Sequence, residues 1–208
     1  VGPAAPRGGG PGAFKQGGDA ADTPDVTRPT PNGRERSFQD HEIIVSKTDL
    51  HGRITYANDV FVRVSGYSEA ELLGAPHSLL RHPAMPRCVF KLLWDTIQQG
   101  EEVFAYVLNL AKNGDAYWVF AHVTPSYDAR GTQVGYHSNR RVPHADALAK
   151  VKPLYAKLLS VEQAVADRKA SVDAGTAAVV ATLQGLGMSY SQFVFSLSRH
   201  TTLDGEAA

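Results

Sequence analysis

Residues 102–141 hold three long β-prone runs separated by two tight-turn signals, and no other feature constrains the fold as strongly. The first run, EVFAYVLNLAK (102–112), meets Asn113-Gly114, a dipeptide suited to the positive φ angles of a two-residue hairpin turn. The return run, DAYWVFAHVTPSYD (115–128), ends at Ala129-Arg130-Gly131, and TQVGYHSNRR (132–141) follows. Connections this short join antiparallel neighbours, because a parallel pair needs a crossover of a dozen residues or more.

Upstream, EIIVSKTD (42–49), a turn at His51-Gly52 and RITYA (53–57) read as a further hairpin. Between the two strand groups the pattern is helical. Asn58 or Asp59 caps a short helix that Gly66 ends. Ser68 and Glu71 form the S-x-x-E capping box of a second, stopped by Gly74. Pro86 suits the first turn of a third, in which Val89, Leu92, Leu93 and Ile97 recur at helical spacing and which Gly100 closes. The order β-β-α-α-α-β-β-β predicts an α+β domain: a five-stranded antiparallel sheet with short crossover helices on one face.

The flanks differ from this centre. Residues 1–37 are rich in Gly, Pro and Ala with almost no large apolar side chains, and are expected to form a disordered N-terminal tail. The domain is expected over 38–143. Residues 144–208 form a helical extension, with an apolar stripe at Leu148, Val151, Leu154, Tyr155, Leu158, Leu159 and Val161. Pro153 either kinks this helix or marks its start. A second helix is expected over 169–186, capped by Gly187, and a last short piece after Ser189. The helices need a partner surface, which the sheet, each other or a second subunit supplies.

Bulk properties narrow the function classes. With 21 basic and 21 acidic residues, the chain has no strong net field to attract nucleic acid or an anionic membrane. No apolar run reaches the roughly 20 residues of a membrane span, and no apolar segment near residue 1 resembles a secretory signal. A single cysteine, Cys88, rules out an internal disulfide and any Cys-only metal site. A cytoplasmic protein without membrane insertion is the expectation.

Residues 42–141 resemble the PAS sensory domains of the aerotaxis-receptor (Aer) type. GRITYAND (52–59), SGYS (65–68) and ELLG (71–74) are shared by many PAS domains, while PHSLLRHPAMP (76–86) and KNGDAYWV (112–119) resemble the Aer-like group. The resemblance implies a PAS fold in which the crossover helices and the inner sheet face enclose the isoalloxazine ring of FAD. Haem, held by one histidine of the crossover region as in some PAS domains, is the alternative cofactor.

The resemblance places the cofactor contacts at Asn58, His77, Arg81, His82, Phe90, Trp94, Phe104, Asn109, Trp118 and His137. Arg81 would donate to flavin carbonyls or phosphate, and His82 would pack on a ring or bond its edge. Asn109 offers a donor and an acceptor to the pyrimidine edge. His137 stands where light-sensing flavin PAS domains carry a glutamine that reports the flavin state, and is expected to report through its proton. Trp118 fills either the core or the pocket wall, and Trp94 packs between helix and sheet. Ala84 replaces an acid common in Aer-like domains. Val103-Phe104-Ala105 replaces a W-x-G pattern, leaving Phe104 or Tyr106 as the neighbouring aromatic. Cys88 lies too late for the reactive cysteine of light-sensing domains.

Catalysis and metal binding find no support in the motifs. His77 and His82 lack further metal ligands nearby. Ser65 and His82 lack a G-x-S-x-G elbow, and Gly-rich 8–12 lacks the G-K-[ST] of a phosphate loop. No kinase, cyclase or receptor coiled-coil pattern follows residue 141. The expectation is a redox, oxygen or energy sensor, not an enzyme. It is expected to be homodimeric and to signal by contact with a chemoreceptor or kinase in trans. A ligand-free PAS dimerisation module is the other alternative.

Overall fold

The structure, a computed structural model, describes residues 29–198. Its centre is one antiparallel sheet of β1 (Ile44–Thr48), β2 (Ile54–Ala57), β3 (Val103–Leu110), β4 (Ala116–Tyr127) and β5 (Gln133–Arg141) in the order β2-β1-β5-β4-β3. The two hairpins thus meet edge to edge, with β1 beside β5. Between β2 and β3 run α1 (Asp59–Ser65), α2 (Glu69–Leu72), a 3₁₀ turn (His77–Leu80) and α3 (Arg87–Gln98).

Local chemistry sets these boundaries. The Asn58 side chain accepts the Phe61 amide and so caps α1. It also accepts from the Val45 amide and donates to the Ile43 carbonyl, stapling α1 to β1. Gly66 ends α1 at a φ of 74°, and Ser68 and Glu71 close the expected capping box.

Strand alternation gives the sheet two apolar faces. Ser46, Ser138, Arg140, Val107, Asn109 and Ala121 point toward the crossover helices. Phe104, Phe120 and His122 stack on the opposite face, where Phe195 of α6 (Tyr190–Ser198) joins them. Tyr155 of α4 (Ala145–Gln163) packs against Trp118 and donates to the Tyr106 carbonyl at 2.7 Å. That bond satisfies part of the open edge of β3. The His82 amide bonds the Leu108 carbonyl, and Met85 Sδ lies 3.4 Å from the Leu108 amide nitrogen, so the edge is no template for further pairing. Pro153 lies inside α4 and does not start it. Between α4 and α6, α5 (Arg168–Leu186) begins at an Asp167 cap and packs on α3.

The disorder expected over residues 1–37 does not hold for 29–37; residues 1–28 lie outside the described residues. Residues 29–37 form an ordered strap along the β3–β4 turn, with Glu35 bridging Ala116 in parallel. Arg36 bonds the Asp115 carboxylate at 2.7 and 3.0 Å and the Val64 carbonyl at 2.9 Å. Asn32 donates to the same carboxylate at 2.7 Å. Gly114 admits the strap, because a Cβ there would lie 2.4 Å from the Thr30 carbonyl oxygen. Composition misses this segment because polar pairing, and not apolar burial, orders it.

Candidate functional site

A cavity of about 460 Å³ lies between the inner sheet face, the 3₁₀ turn and α3. Phe90, Leu93, Trp94 and Ile97 of α3 supply its apolar wall, with Val107, Val123 and Tyr136 of the sheet opposite. Trp94 stands edge-on to Tyr136 at 5.5 Å. Gly52 leaves room for that indole, which a Cβ would meet at 2.9 Å. An apolar chamber with a few placed polar groups is the usual form of a small-molecule site.

The polar groups are concentrated and unusual. Arg140 is 2% exposed. Its Nε donates to Ser138 Oγ at 3.1 Å and one terminal nitrogen donates to Ser46 Oγ. Its guanidinium carbon lies 4.6 Å from the Phe61 ring centroid, and Nη1 has no hydrogen-bond partner among the described residues. Burial lowers its pKa to about 10, so it remains charged at neutral pH. No carboxylate lines this cavity, whereas Arg81, Arg87, Lys91, Arg140 and Arg168 all do. A buried cation without a counter-ion costs several kcal/mol, about 3–5 when a partner has been removed.

Two more enclosed polar atoms accompany Nη1. Asn109 Nδ2 and His77 Nε2 have no hydrogen-bond partner among the described residues. The His77 ring stacks on Phe61 at 6.2 Å. Burial, with Arg140's charge in second place, lowers its pKa to about 3, so the imidazole is neutral. Buried polar atoms rarely go unpaired, and three in one cavity mark where a ligand's polar edge belongs.

Five of the ten residues expected at the site line the cavity: His77, Arg81, Phe90, Trp94 and Asn109. The Arg81 guanidinium sits 4.5 Å from the Phe90 ring centroid. The other five are placed elsewhere. Asn58 is consumed in capping α1 and stapling β1. His82 lines a separate cavity beyond the 3₁₀ turn, where its Nδ1 accepts the Ala84 amide at 3.0 Å. Phe104 and Trp118 stand on the far face under α6 and α4.

His137 is the sharpest correction. Its neighbours Tyr136 and Ser138 line the cavity, so strand alternation turns His137 to the far side. There its Nε2 lies 3.1 Å from Asn139 Oδ1. Arg140, Ser46 and Ser138, absent from the expected set, hold the inner end instead. In HSNRR every residue is polar, so the alternation that assigns faces is invisible there.

Cys88, near the start of α3, is buried, and burial with Glu162 beside it pushes its thiol up to about 12. Both effects disfavour the thiolate, the reactive form, at neutral pH. Among the described residues, no group of three or more His, Cys, Asp or Glu side chains could hold a metal ion. None of the described helices is long and apolar enough to cross a membrane.

The fold is that of a PAS domain, with a cavity between its sheet and its crossover helices. The family model described as PAS fold matches residues 54–140. The domain is similar to that of the aerotaxis receptor of Escherichia coli (strain K12). The identity is 44% over 119 residues, covering 57% of this chain and 23% of the receptor. It is also similar to the nitrogen fixation regulatory protein of Klebsiella pneumoniae, 33% identical over 99 residues, covering 48% of this chain and 20% of that protein. A solved PAS domain from Colwellia psychrerythraea aligns at 24% identity and a TM-score of 0.45, over 50% of this chain and 89% of that one. The matched segment therefore spans about a fifth to a quarter of either curated relative.

Proposed function

We propose that the chain is a redox, oxygen or energy sensor that holds FAD in the inner cavity and reports through protein contacts. One observation carries this reading: Arg140 Nη1, Asn109 Nδ2 and His77 Nε2 are enclosed at one cavity without partners. They suit the alternating carbonyl and ring-nitrogen edge of an isoalloxazine. The likeness to the aerotaxis receptor, and its own resemblance to flavin-binding PAS domains, supports the same ligand.

A bound flavin supplies reversible electron uptake, in which negative charge develops on its pyrimidine ring. Arg140 presents a fixed positive charge, desolvated and therefore strong, to anything in the cavity. Asn109 can orient the ring through its amide. Phe90 and Trp94 exclude water from its faces. A change of charge at Arg140 is felt by β1 and β5 through Ser46 and Ser138, which face each other across those strands. Such a local change acts as a signal once it biases an element with two positions. The contacts that read it, with a second subunit or with a chemoreceptor or kinase, belong to the same proposal.

The test is an absorbance spectrum of the purified protein, followed by identification of what heat denaturation releases. Flavin bands and released FAD support the reading. A Soret band would instead support the haem reading, for which the neutral, enclosed His77 Nε2 is the candidate axial ligand. A folded protein that stays colourless after incubation with both cofactors would sink both and leave the dimerisation module.

A further inference from the structure

The inner cavity does not end at the domain's own elements. Arg168 and Val172 of α5 form part of its wall. A second cavity of about 480 Å³ continues beyond them, between the 78–87 loop and the end of α4. The two share Ser78, Arg81, Arg87 and Arg168, so three guanidinium groups stand where they meet. The one carboxylate in the wall of the second cavity, Glu162, is already engaged. It accepts the amides of Arg87 and Cys88 at 3.0 and 2.7 Å and faces the Arg87 side chain at 3.4 Å. Arg168 has no ion pair or hydrogen bond among the described residues.

We propose that this junction is a phosphate site built jointly by α3 and α5, which receives the diphosphate of a dinucleotide whose ring lies in the inner cavity. Guanidinium forks match phosphate oxygens bidentately. The inner cavity takes a planar ring, and the outer one takes the nucleoside beyond the phosphates. The C-terminal helices thereby become part of the ligand site. Arg87 connects the two roles: its terminal nitrogen donates to Ser171 Oγ at 2.7 Å, and that hydroxyl donates to the Glu162 carbonyl at 2.7 Å. Gly175 seats α5 closely, since a Cβ there would lie 2.9 Å from Glu162 and 3.0 Å from Cys88. Phosphate on Arg87 and Arg168 therefore fastens α5 to the cavity mouth.

This rests on the flavin reading for the ring but not for the phosphate, and the experiment separates them. Riboflavin, FMN, FAD and ADP are titrated into the full chain freed of bound ligand, with flavin fluorescence and trypsin cleavage after Arg168 and Lys169 as readouts. FAD is expected to bind about tenfold or more tightly than riboflavin, with the gap closing at high salt. R168Q brings FAD down about tenfold, leaves riboflavin unchanged and abolishes the protection of Lys169 that FAD confers. Equal affinities for FAD and riboflavin, or an R168Q chain that binds FAD as well as the parent, would overturn the phosphate site. If no flavin binds, the flavin reading fails by itself. The phosphate site then stands if ADP protects α5 in the parent and not in R168Q, and falls if ADP protects neither.

Discussion

Glu162, near the end of α4, accepts the backbone amide of Cys88 at 2.7 Å, a bond between residues 74 positions apart that caps the first turn of α3. The carboxylate is 1% exposed. Burial alone would push its pKa up, but the amides of Cys88 and Arg87 outweigh burial and hold it below the usual value. An anion at a helix N-terminus also meets the helix dipole favourably. The cavity wall and the C-terminal helices are therefore one mechanical unit.

That bond predicts a graded mutational response. Glu162→Gln keeps one acceptor for the Cys88 amide, and about 1–2 kcal/mol of stability should be lost. Glu162→Ala leaves the two amides and the Arg87 Nε without an acceptor, and the loss should rise to about 3–5 kcal/mol. Urea denaturation followed by circular dichroism checks the order. Equal losses would mean that side-chain volume, not hydrogen bonding, matters at this position.

Arg140 should behave in the opposite way. Its charge has no counter-ion in the described cavity, and Ser46 and Ser138 are cross-strand partners able to bond one another once it is gone. Arg140→Met should leave the ligand-free chain as stable as before or about 1 kcal/mol more stable. The same change should reduce the flavin retained per chain on purification. Unchanged flavin content would show that Nη1 does not face the ligand.

The two faces of the sheet separate Asn109 from His137. Asn109→Ala removes an enclosed amide from the cavity and should shift the flavin absorbance and weaken retention. His137→Ala changes the far face only and should leave spectrum, retention and reduction unaltered. A spectral change in the His137 variant alone would mean that the face assignment of β5 is wrong.

The N-terminal strap should be acid-labile. Hydrogen bonds from Asn32, then Asn113 and Arg36, lower the Asp115 pKa from 3.8 to about 2. The folded value lies below the unfolded one, so this stabilisation is complete above about pH 4–5 and lost as pH falls through 2. The protection of the Asn32 amide against hydrogen exchange, relative to an unstructured peptide at the same pH, should fall over that interval, since this amide donates to the Gly114 carbonyl at 3.0 Å. Asp115→Asn should show the lowered protection already at neutral pH.

Secondary structure was legible wherever one or two adjacent residues decide the backbone. Asn113-Gly114 marks its turn, Gly66 ends α1, and Ser68 with Glu71 opens α2, because φ angles and capping bonds are settled within four residues. The resemblance of residues 42–141 carried the fold class, and five of the ten site residues it implied line the cavity. What the chain's order of residues determined by itself is this local framework and its PAS architecture. Tertiary structure alone decided which side of β5 faces the cavity, since HSNRR has no apolar alternation to mark an inner face. It also decided that Arg36 reaches Asp115 and that Glu162 reaches Cys88. Those pairings are between polar groups far apart in the chain, and a polar side chain declares its partner only when folding removes the water that would otherwise satisfy it.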